Sequence, residues 1–352
     1  MPCSASSPRR DITLDVMRVV AILLVVWQHA SEFYYIIPPM DVVRGTATEQ
    51  VAWIDSLGRA GVAMFVIISG WLLLPVTSST GAFLRKRLMR VVLPFACWCL
   101  GYAVYFVLHY GETWAQCAEH ILCIPVNFGV EVGHLWFVYM LVGLYLLAPV
   151  ISPWLQRCTK RELQGYLAVW TLTLFIPLLH ELRPQLWGEA VWNWTPMFYY
   201  FTGFAGFFVL GYYLRRFGVP RVWVGAAMLI VGYLSTVMLF LPRIAWAKDV
   251  PELEVPWNLC GIGAALMATG LVVLIHAVRW PQCRLVNSVA VMSYAIYLGH
   301  IMVLNAVYSL VDPHIASLWL KIPVIAVVTL VATYLIVRLL ACLPKAHWWL
   351  GA

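Results

Sequence analysis

The sequence predicts an all-α, polytopic integral membrane protein with about ten transmembrane helices and both termini in the cytoplasm. Of its 352 residues, 62% are hydrophobic and only 11% are charged, whereas a soluble domain carries about 25% charged residues. A soluble chain of this size could not bury so much apolar side chain, so lipid must cover much of its surface. The 18 Trp and 17 Tyr residues are typical of a protein with two membrane–water interfaces.

Ten stretches of the chain approach the roughly 20 apolar residues that one membrane crossing requires. They lie near 12–35, 60–76, 91–109, 135–153, 165–180, 197–214, 222–241, 258–277, 286–309 and 322–342. The second and fifth are short, and the ninth, which carries Tyr297 and His300, is the most polar. We predict a cytoplasmic tail at 1–11, one membrane domain at 12–342 and a second cytoplasmic tail at 343–352.

The distribution of Lys and Arg predicts the orientation. With the N-terminus inside, sixteen of these residues fall on the cytoplasmic side and six on the opposite side, and Arg18 lies within the first span. This is the bias that sets topology in membrane proteins. A cleaved signal peptide is excluded because the first apolar run is too long, contains Asp15 and Arg18, and precedes no small-residue cleavage site.

The first span carries ionisable side chains, which cost about 2.5–3.5 kcal/mol each on insertion and therefore point to function. Arg18 and His29 are eleven residues apart, and eleven helical steps of about 100° return to within about 20° of the start. Both side chains therefore lie on one stripe of the helix, about 16 Å apart along its axis. Asp15 precedes Arg18 by three positions and can pair with it. Glu32 follows His29 by one turn and can orient the imidazole ring.

These residue types indicate anion binding and proton transfer. The guanidinium of Arg18 suits phosphate or carboxylate, and a partly dry histidine such as His29 can act as a neutral general base. Two structural alternatives stay open, in which Arg18 only reaches the cytoplasmic interface and His29 is only a hydrogen-bonded interface residue. No histidine pair has HExxH spacing, so no catalytic metal is predicted. No basic cluster is interleaved with base-stacking aromatics, so nucleic acid is not a predicted partner.

Five motifs follow one another along the chain. They are Leu14-Asp15-Val16-Met17-Arg18 with His29, Arg59 through Phe65 to Ser69-Gly70, Arg85-Lys86-Arg87 through Arg90 to Pro94, His134-Leu135-Trp136-Phe137, and Ser293 through Tyr297 to His300. In this order they resemble the acyltransferase type 3 family, whose first helix carries Arg, ten residues and then His. One departure is Ala63 where the family often has Pro. The likeness covers essentially the whole membrane domain and is greatest to the short, membrane-only members.

The resemblance implies an O-acyltransferase of the bacterial inner membrane. It would move an acyl group, by default acetyl from acetyl-CoA, from cytoplasmic acyl-CoA to a hydroxyl of a cell-surface polysaccharide or its lipid-linked precursor, with no bound cofactor. His29 would be the catalytic base or a transient acyl carrier, and Arg18 would position the donor. The resemblance further assigns donor or acceptor binding to Asp15, Glu32, Arg59, Arg87, Arg90, His134, Trp136, Tyr297 and His300.

Several of these residues also have a structural interpretation. The basic cluster at 85–90 suits a diphosphate and equally a cytoplasmic anchor. Arg59 fits an oxyanion or an acidic sugar and equally an anchored loop, and Trp136 fits a sugar-stacking ring or an interface belt. The Ser69-Gly70 pair favours helix packing over a nucleophile.

Two other functions remain as alternatives. A transporter or flippase would suit ten spans, but the sequence lacks a matched pair of Gly/Pro-broken spans, and the later spans carry few deep charges. A binding or sensing subunit would not need His29 and Arg18. The sequence leaves open the acceptor, the acyl group, direct transfer against an acyl-histidine, the oligomeric state and a disulfide between Cys117 and Cys123.

Overall fold

The computed structural model describes residues 10–38, 40–125, 130–182 and 203–351. Within these ranges the chain is almost entirely helical and carries one two-stranded antiparallel sheet, so the all-α prediction is confirmed. Two arginines of the charge count that predicts the orientation, Arg9 and Arg183, lie outside the described residues. The first part of the predicted span 197–214 also lies outside them.

The helices of the first half are α1 (Ile12–Glu32), α2 (Thr46–Asp55), α3 (Ala60–Leu73), α4 (Thr80–Tyr110), α5 (Trp114–Cys123), α6 (Trp136–Arg157), α7 (Lys160–Thr173) and α8 (Ile176–Leu182). Those of the second half are α9 (Phe204–Phe217), α10 (Val222–Phe240), α11 (Val250–Leu253), α12 (Ile262–Ala277), α13 (Arg284–Val311), α14 (Leu318–Leu340) and α15 (Ala346–Trp349). The sheet pairs β1 (Ile36–Ile37) with β2 (Asp41–Val42). Together these elements form one helical bundle.

Nine stretches of the described ranges are long and apolar enough to cross a membrane. Helix α9 is the described part of the remaining predicted crossing. The second apolar stretch runs from Thr46 to Leu73 because a short turn joins α2 to α3. Helix α3 itself begins at Ala60, where the second span was predicted. The predicted span 165–180 is divided between α7 and α8.

Helix α1 lies inside the bundle, where it packs against α3, α13 and α14. Its apolar side chains Ile22, Val25 and Val26 are buried between these helices. The bundle has two faces: we call the side at which α1 begins the inner face and the side at which it ends the outer face. The inner face is the one that the Lys and Arg distribution predicts to be cytoplasmic.

Helices α3 and α9 cross with their backbones in close contact. A Cβ atom on Gly70 would lie 1.8 Å from the carbonyl oxygen of Phe208, and one on Gly211 would lie 2.0 Å from that of Ile67. Small residues permit such close approach of membrane helices. Gly70 of the Ser-Gly motif therefore serves helix packing.

Cys117 and Cys123, which the sequence left as a possible pair, are both free thiols. Both lie on α5, where Cys117 is buried and Cys123 is exposed. Six helical steps of about 100° place the two side chains on different faces of the helix. A disulfide between them would require α5 to unwind.

Candidate functional site

A cavity of about 560 Å³ lies between α1, α3, α4, α6 and α13, and we call it the inner cavity. Its inner end is lined by Arg10, Arg18, Arg87 and Arg90. Its walls are mostly apolar, and it extends toward the outer half of the bundle as far as Phe137 of α6. A charged ligand part would therefore lie at the inner end, with a less polar part deeper in the bundle.

Asp15 holds Arg18 of α1 and Arg10, which precedes the helix, in place. Its side chain is fully buried and accepts hydrogen bonds from Arg10 and, at 2.7 Å, from Nη1 of Arg18. The cavity lining contains four arginines but only two carboxylates, those of Asp11 and Asp15, so a net positive charge remains at the cavity mouth. The predicted pairing of Asp15 with Arg18 is present, and both line the cavity.

Arg87 and Arg90 approach the same cavity from α4. They are three positions apart and therefore share a helix face. The Nε of Arg87 is buried and has no hydrogen-bond partner among the described residues. Leaving a buried donor unpaired costs about 1–3 kcal/mol, so an anionic ligand in the cavity would remove that penalty.

Three imidazole rings meet near the outer end of α1, and we call them the histidine triangle. They are His29 of α1, His134 of the 3₁₀ turn Val130–Leu135, and His300 of α13. The ring centroids are 6.1 Å apart for His29 and His134, 5.3 Å for His29 and His300, and 5.0 Å for His134 and His300. His134 is 6% exposed and His300 is fully buried.

In His29 and His300, the hydrogen bond at Nδ1 determines which ring nitrogen carries the lone pair. Nδ1 of His29 is 3.0 Å from Oε2 of Glu32, and Nδ1 of His300 is 2.6 Å from the backbone oxygen of Tyr297. Carboxylate and carbonyl oxygens accept only, so in the neutral rings Nδ1 carries the proton and Nε2 the lone pair. Nε2 of His134 and of His300 is buried with no partner among the described residues. Nε2 of His300 is therefore a basic nitrogen atom with no donor to it among the described residues.

Tyr297 joins the inner cavity to the histidine triangle. Its side chain lines the cavity, and its hydroxyl donates to the backbone oxygen of His134. Its ring centroid lies 5.7 Å from that of His134 and 5.4 Å from that of Phe137. The outer end wall of the cavity is therefore in contact with the triangle.

Sequence analysis missed Tyr102 of α4, which also contacts the triangle. Its ring centroid lies 5.6 Å from that of His134, and its buried hydroxyl donates to the backbone oxygen of Leu298 at 3.0 Å. The one feature of the sequence that could have indicated Tyr102 is a polar ring in the middle of the predicted span 91–109. That signal is weak, because membrane helices carry many tyrosines in their interface belts.

Arg59 belongs to a buried network at the outer face. Its Nη2 lies 2.6 Å from Asp55, 3.0 Å from the Tyr35 hydroxyl and 3.6 Å from Glu254. Its guanidinium also lies 4.2 Å from the ring centroid of Trp257. Burial raises the pKa of Tyr35 well above its ordinary value, so the hydroxyl keeps its proton and donates it to Glu254. Arg59 therefore anchors the outer segments, and its role toward a substrate stays a prediction.

Trp136 lies apart from both the cavity and the triangle. Its ring is 38% exposed and packs 5.5 Å from the ring of Phe204. The remaining predicted residues form two groups, one at the cavity mouth and one at the triangle. The first group is Asp15, Arg18, Arg87 and Arg90, and the second is His29, Glu32, His134, Tyr297 and His300.

Comparison with protein families gives a match over most of the chain. Residues 11–338 match the acyltransferase 3 family model, which describes an acyltransferase domain. The matched range contains all five sequence motifs and both groups of site residues. Searches of curated proteins and of solved structures gave no match.

Proposed function

The chain belongs to the acyltransferase 3 family, and we propose that this membrane acyltransferase O-acylates a surface polysaccharide or its lipid-linked precursor. The donor would be acyl-CoA, by default acetyl-CoA, at the inner face of a bacterial plasma membrane. One observation carries the proposal: a cavity begins at four arginines and ends at a wall in contact with the histidine triangle.

The inner cavity suits the donor. Its volume of about 560 Å³ falls within the roughly 300–1,000 Å³ of small-molecule sites. Arg18, Arg87 and Arg90 offer charge-assisted hydrogen bonds to phosphate groups. The apolar walls beyond them accommodate a pantetheine arm, whose thioester would then approach the triangle past Tyr297.

His29 is the base that the geometry favours. In direct transfer, Nε2 takes the proton of the acceptor hydroxyl, the hydroxyl oxygen attacks the thioester carbonyl carbon, and the carbon–sulfur bond breaks. The CoA thiolate then takes the proton from the imidazolium. In the covalent route, Nε2 attacks the carbonyl carbon, the carbon–sulfur bond breaks and the CoA thiolate leaves. The acceptor hydroxyl then attacks the acyl carbon, the bond from that carbon to Nε2 breaks, and the hydroxyl proton neutralises the CoA thiolate. Both routes need the neutral ring, which Glu32 orients through Nδ1.

The hydrogen-bonding state of the triangle supports a hydroxyl acceptor. Nε2 of His134 and Nε2 of His300 are buried and have no partner among the described residues. The lone pair on Nε2 of His300 needs a donor, and the buried Nε2 of His134 needs a hydrogen-bond partner. A sugar carries several neighbouring O–H groups. One of them would react at His29 while another donates to His134 or His300.

Membrane vesicles that contain the protein test this function with radiolabelled acetyl-CoA. We expect label in membrane glycolipid or polysaccharide, and release of that label by mild alkali because the bond is an ester. Vesicles without the protein are the control. Absence of label with acetyl-, propionyl- and succinyl-CoA would contradict the proposal. Uptake of a glycan or small molecule by the same vesicles would then favour the transporter alternative.

A further inference from the structure

The segment after α14 packs against the inner face of the bundle. The sequence predicts a cytoplasmic tail at 343–352, and the described part of it folds back to form α15. Ala346 and Leu350 are buried, and Nε1 of Trp98 donates to the backbone oxygen of Leu350 at 3.4 Å. This segment lies beyond residue 338, where the family match ends.

Gly351 fixes the position of the segment beside the inner cavity. Its φ of +81° is in the left-handed region that favours glycine. A Cβ atom there would lie 2.8 Å from the ring of Tyr294 and 3.2 Å from Cβ of Pro94. The backbone of Gly351 is therefore packed tightly between α4 and α13, and the residue lines the inner cavity.

A second cavity, of about 380 Å³, lies between α4 and α15. It is lined by Lys86, Met89, Arg90, His347, Trp348 and Gly351. Arg90 and Gly351 line both this cavity and the inner cavity. The two cavities are therefore neighbours at the inner face, and one extended ligand can occupy both.

The lining of the second cavity combines basic groups with an available aromatic ring. Trp348 is 50% exposed and its ring centroid lies 5.3 Å from that of His347, so part of the ring surface stays open to a flat ligand. Lys86 and Arg90 supply two cationic groups, His347 supplies a ring nitrogen, and no described acidic side chain lines the cavity. Aromatic stacking on a base together with cationic contacts to phosphates is the usual way in which proteins bind nucleotides.

We propose that the second cavity binds the adenine nucleotide of the acyl-CoA donor. Trp348 stacks on the adenine, while Lys86 and Arg90 bind its phosphate groups. The pantetheine arm continues from Arg90 into the inner cavity. This inference deepens the proposed function and rests on it, since acyl-CoA is the donor named there.

The test compares a full donor with one that has no nucleotide. The full-length protein in phosphatidylcholine nanodiscs is assayed with acetyl-CoA and with S-acetylpantetheine. We expect Trp348→Ala and Lys86→Ala each to lower the ratio of the two kcat/KM values about tenfold. Trp223→Ala is the matched control, because Trp223 is an exposed tryptophan at the start of α10 that lines neither cavity. An unchanged ratio in both test variants would overturn the nucleotide subsite.

Direct binding separates failure of the subsite from failure of the proposed function. The probe is adenosine 3′,5′-bisphosphate, titrated into the same nanodiscs with the wild type and both variants. About tenfold weaker binding by Trp348→Ala supports the subsite even if transfer is absent. Equal binding by wild type and variants overturns it. In nanodiscs that also contain phosphatidylglycerol, variants that change the binding of this lipid but not of the nucleotide would show a lipid headgroup site, which also overturns the inference.

Discussion

We expect His29→Gln to lower kcat for acyl transfer about 10²- to 10⁴-fold, which is the usual contribution of a general base. Glutamine keeps a polar side chain of similar size but offers no basic nitrogen. The partners of His29 in the triangle have their own backbone contacts, so we expect the protein to insert and fold. Steady-state kinetics on purified protein measures the effect. His109→Gln is the matched control, because His109 is exposed on α4, where its ring stacks on Tyr105 and meets Tyr110 edge-on.

Glu32→Gln separates orientation of the ring from proton transfer. The amide oxygen can still accept from Nδ1 of His29, so we expect a smaller loss of kcat than in His29→Gln.

We expect the activity of the wild type to fall as the pH is lowered, because a protonated imidazole can neither accept a proton nor attack the thioester. Full activity of His29→Gln, with His109→Gln also active, would show that another group is the base.

We expect Arg59→Ala to lower the stability of the folded protein and not only its catalytic activity. The variant leaves Asp55, which is fully buried, without its ion-pair partner at 2.6 Å. Breaking a buried pair from one side destabilises a protein by about 3–5 kcal/mol. We expect a large fall in Tm and in the yield of monodisperse protein in detergent. Lys248→Ala, at an exposed position of the outer face, is the control and leaves Tm near that of the wild type.

A double variant tests the physical reason for this effect. Arg59→Ala combined with Asp55→Ala leaves no unpaired aspartate, so part of the lost Tm should return. The contrary result is informative about function. If Arg59→Ala keeps its Tm and instead raises KM for the acceptor, Arg59 binds substrate and does not anchor the outer segments.

The sequence is most informative where partners are close along one helix. The contacts of Asp15 with Arg18 and of His29 with Glu32 follow from three-residue spacing on α1. The stripe that carries Arg18 and His29 follows from helical periodicity in the same way. These local pairs need no knowledge of how the helices pack.

Contacts between distant segments could not be predicted in this way. The motifs named His134 and His300, but only the packing of α1, α6 and α13 shows that their rings lie beside His29. Asp55 is four positions from Arg59, but the other two partners, Tyr35 and Glu254, come from distant segments that no periodicity connects to it. Tertiary contacts also determine where α2 is divided from α3. They likewise determine the return of 346–351 to the inner cavity, and in both cases they outweigh local hydropathy.

In the proposed function the acyl group moves from a donor at the inner face to an acceptor at the histidine triangle, near the outer face. Sealed proteoliposomes test this movement most directly. Protease access to the C-terminal segment determines the orientation of the protein. Acetyl-CoA is supplied on one side of the membrane only. Alkali treatment from either side then shows on which side the labelled acceptor lies. The cavity mouth at Arg18 and the triangle at His29 predict label only when acetyl-CoA is at the inner face, with the ester at the outer face. Equal labelling from both sides, or labelling only from the outer face, would contradict this arrangement.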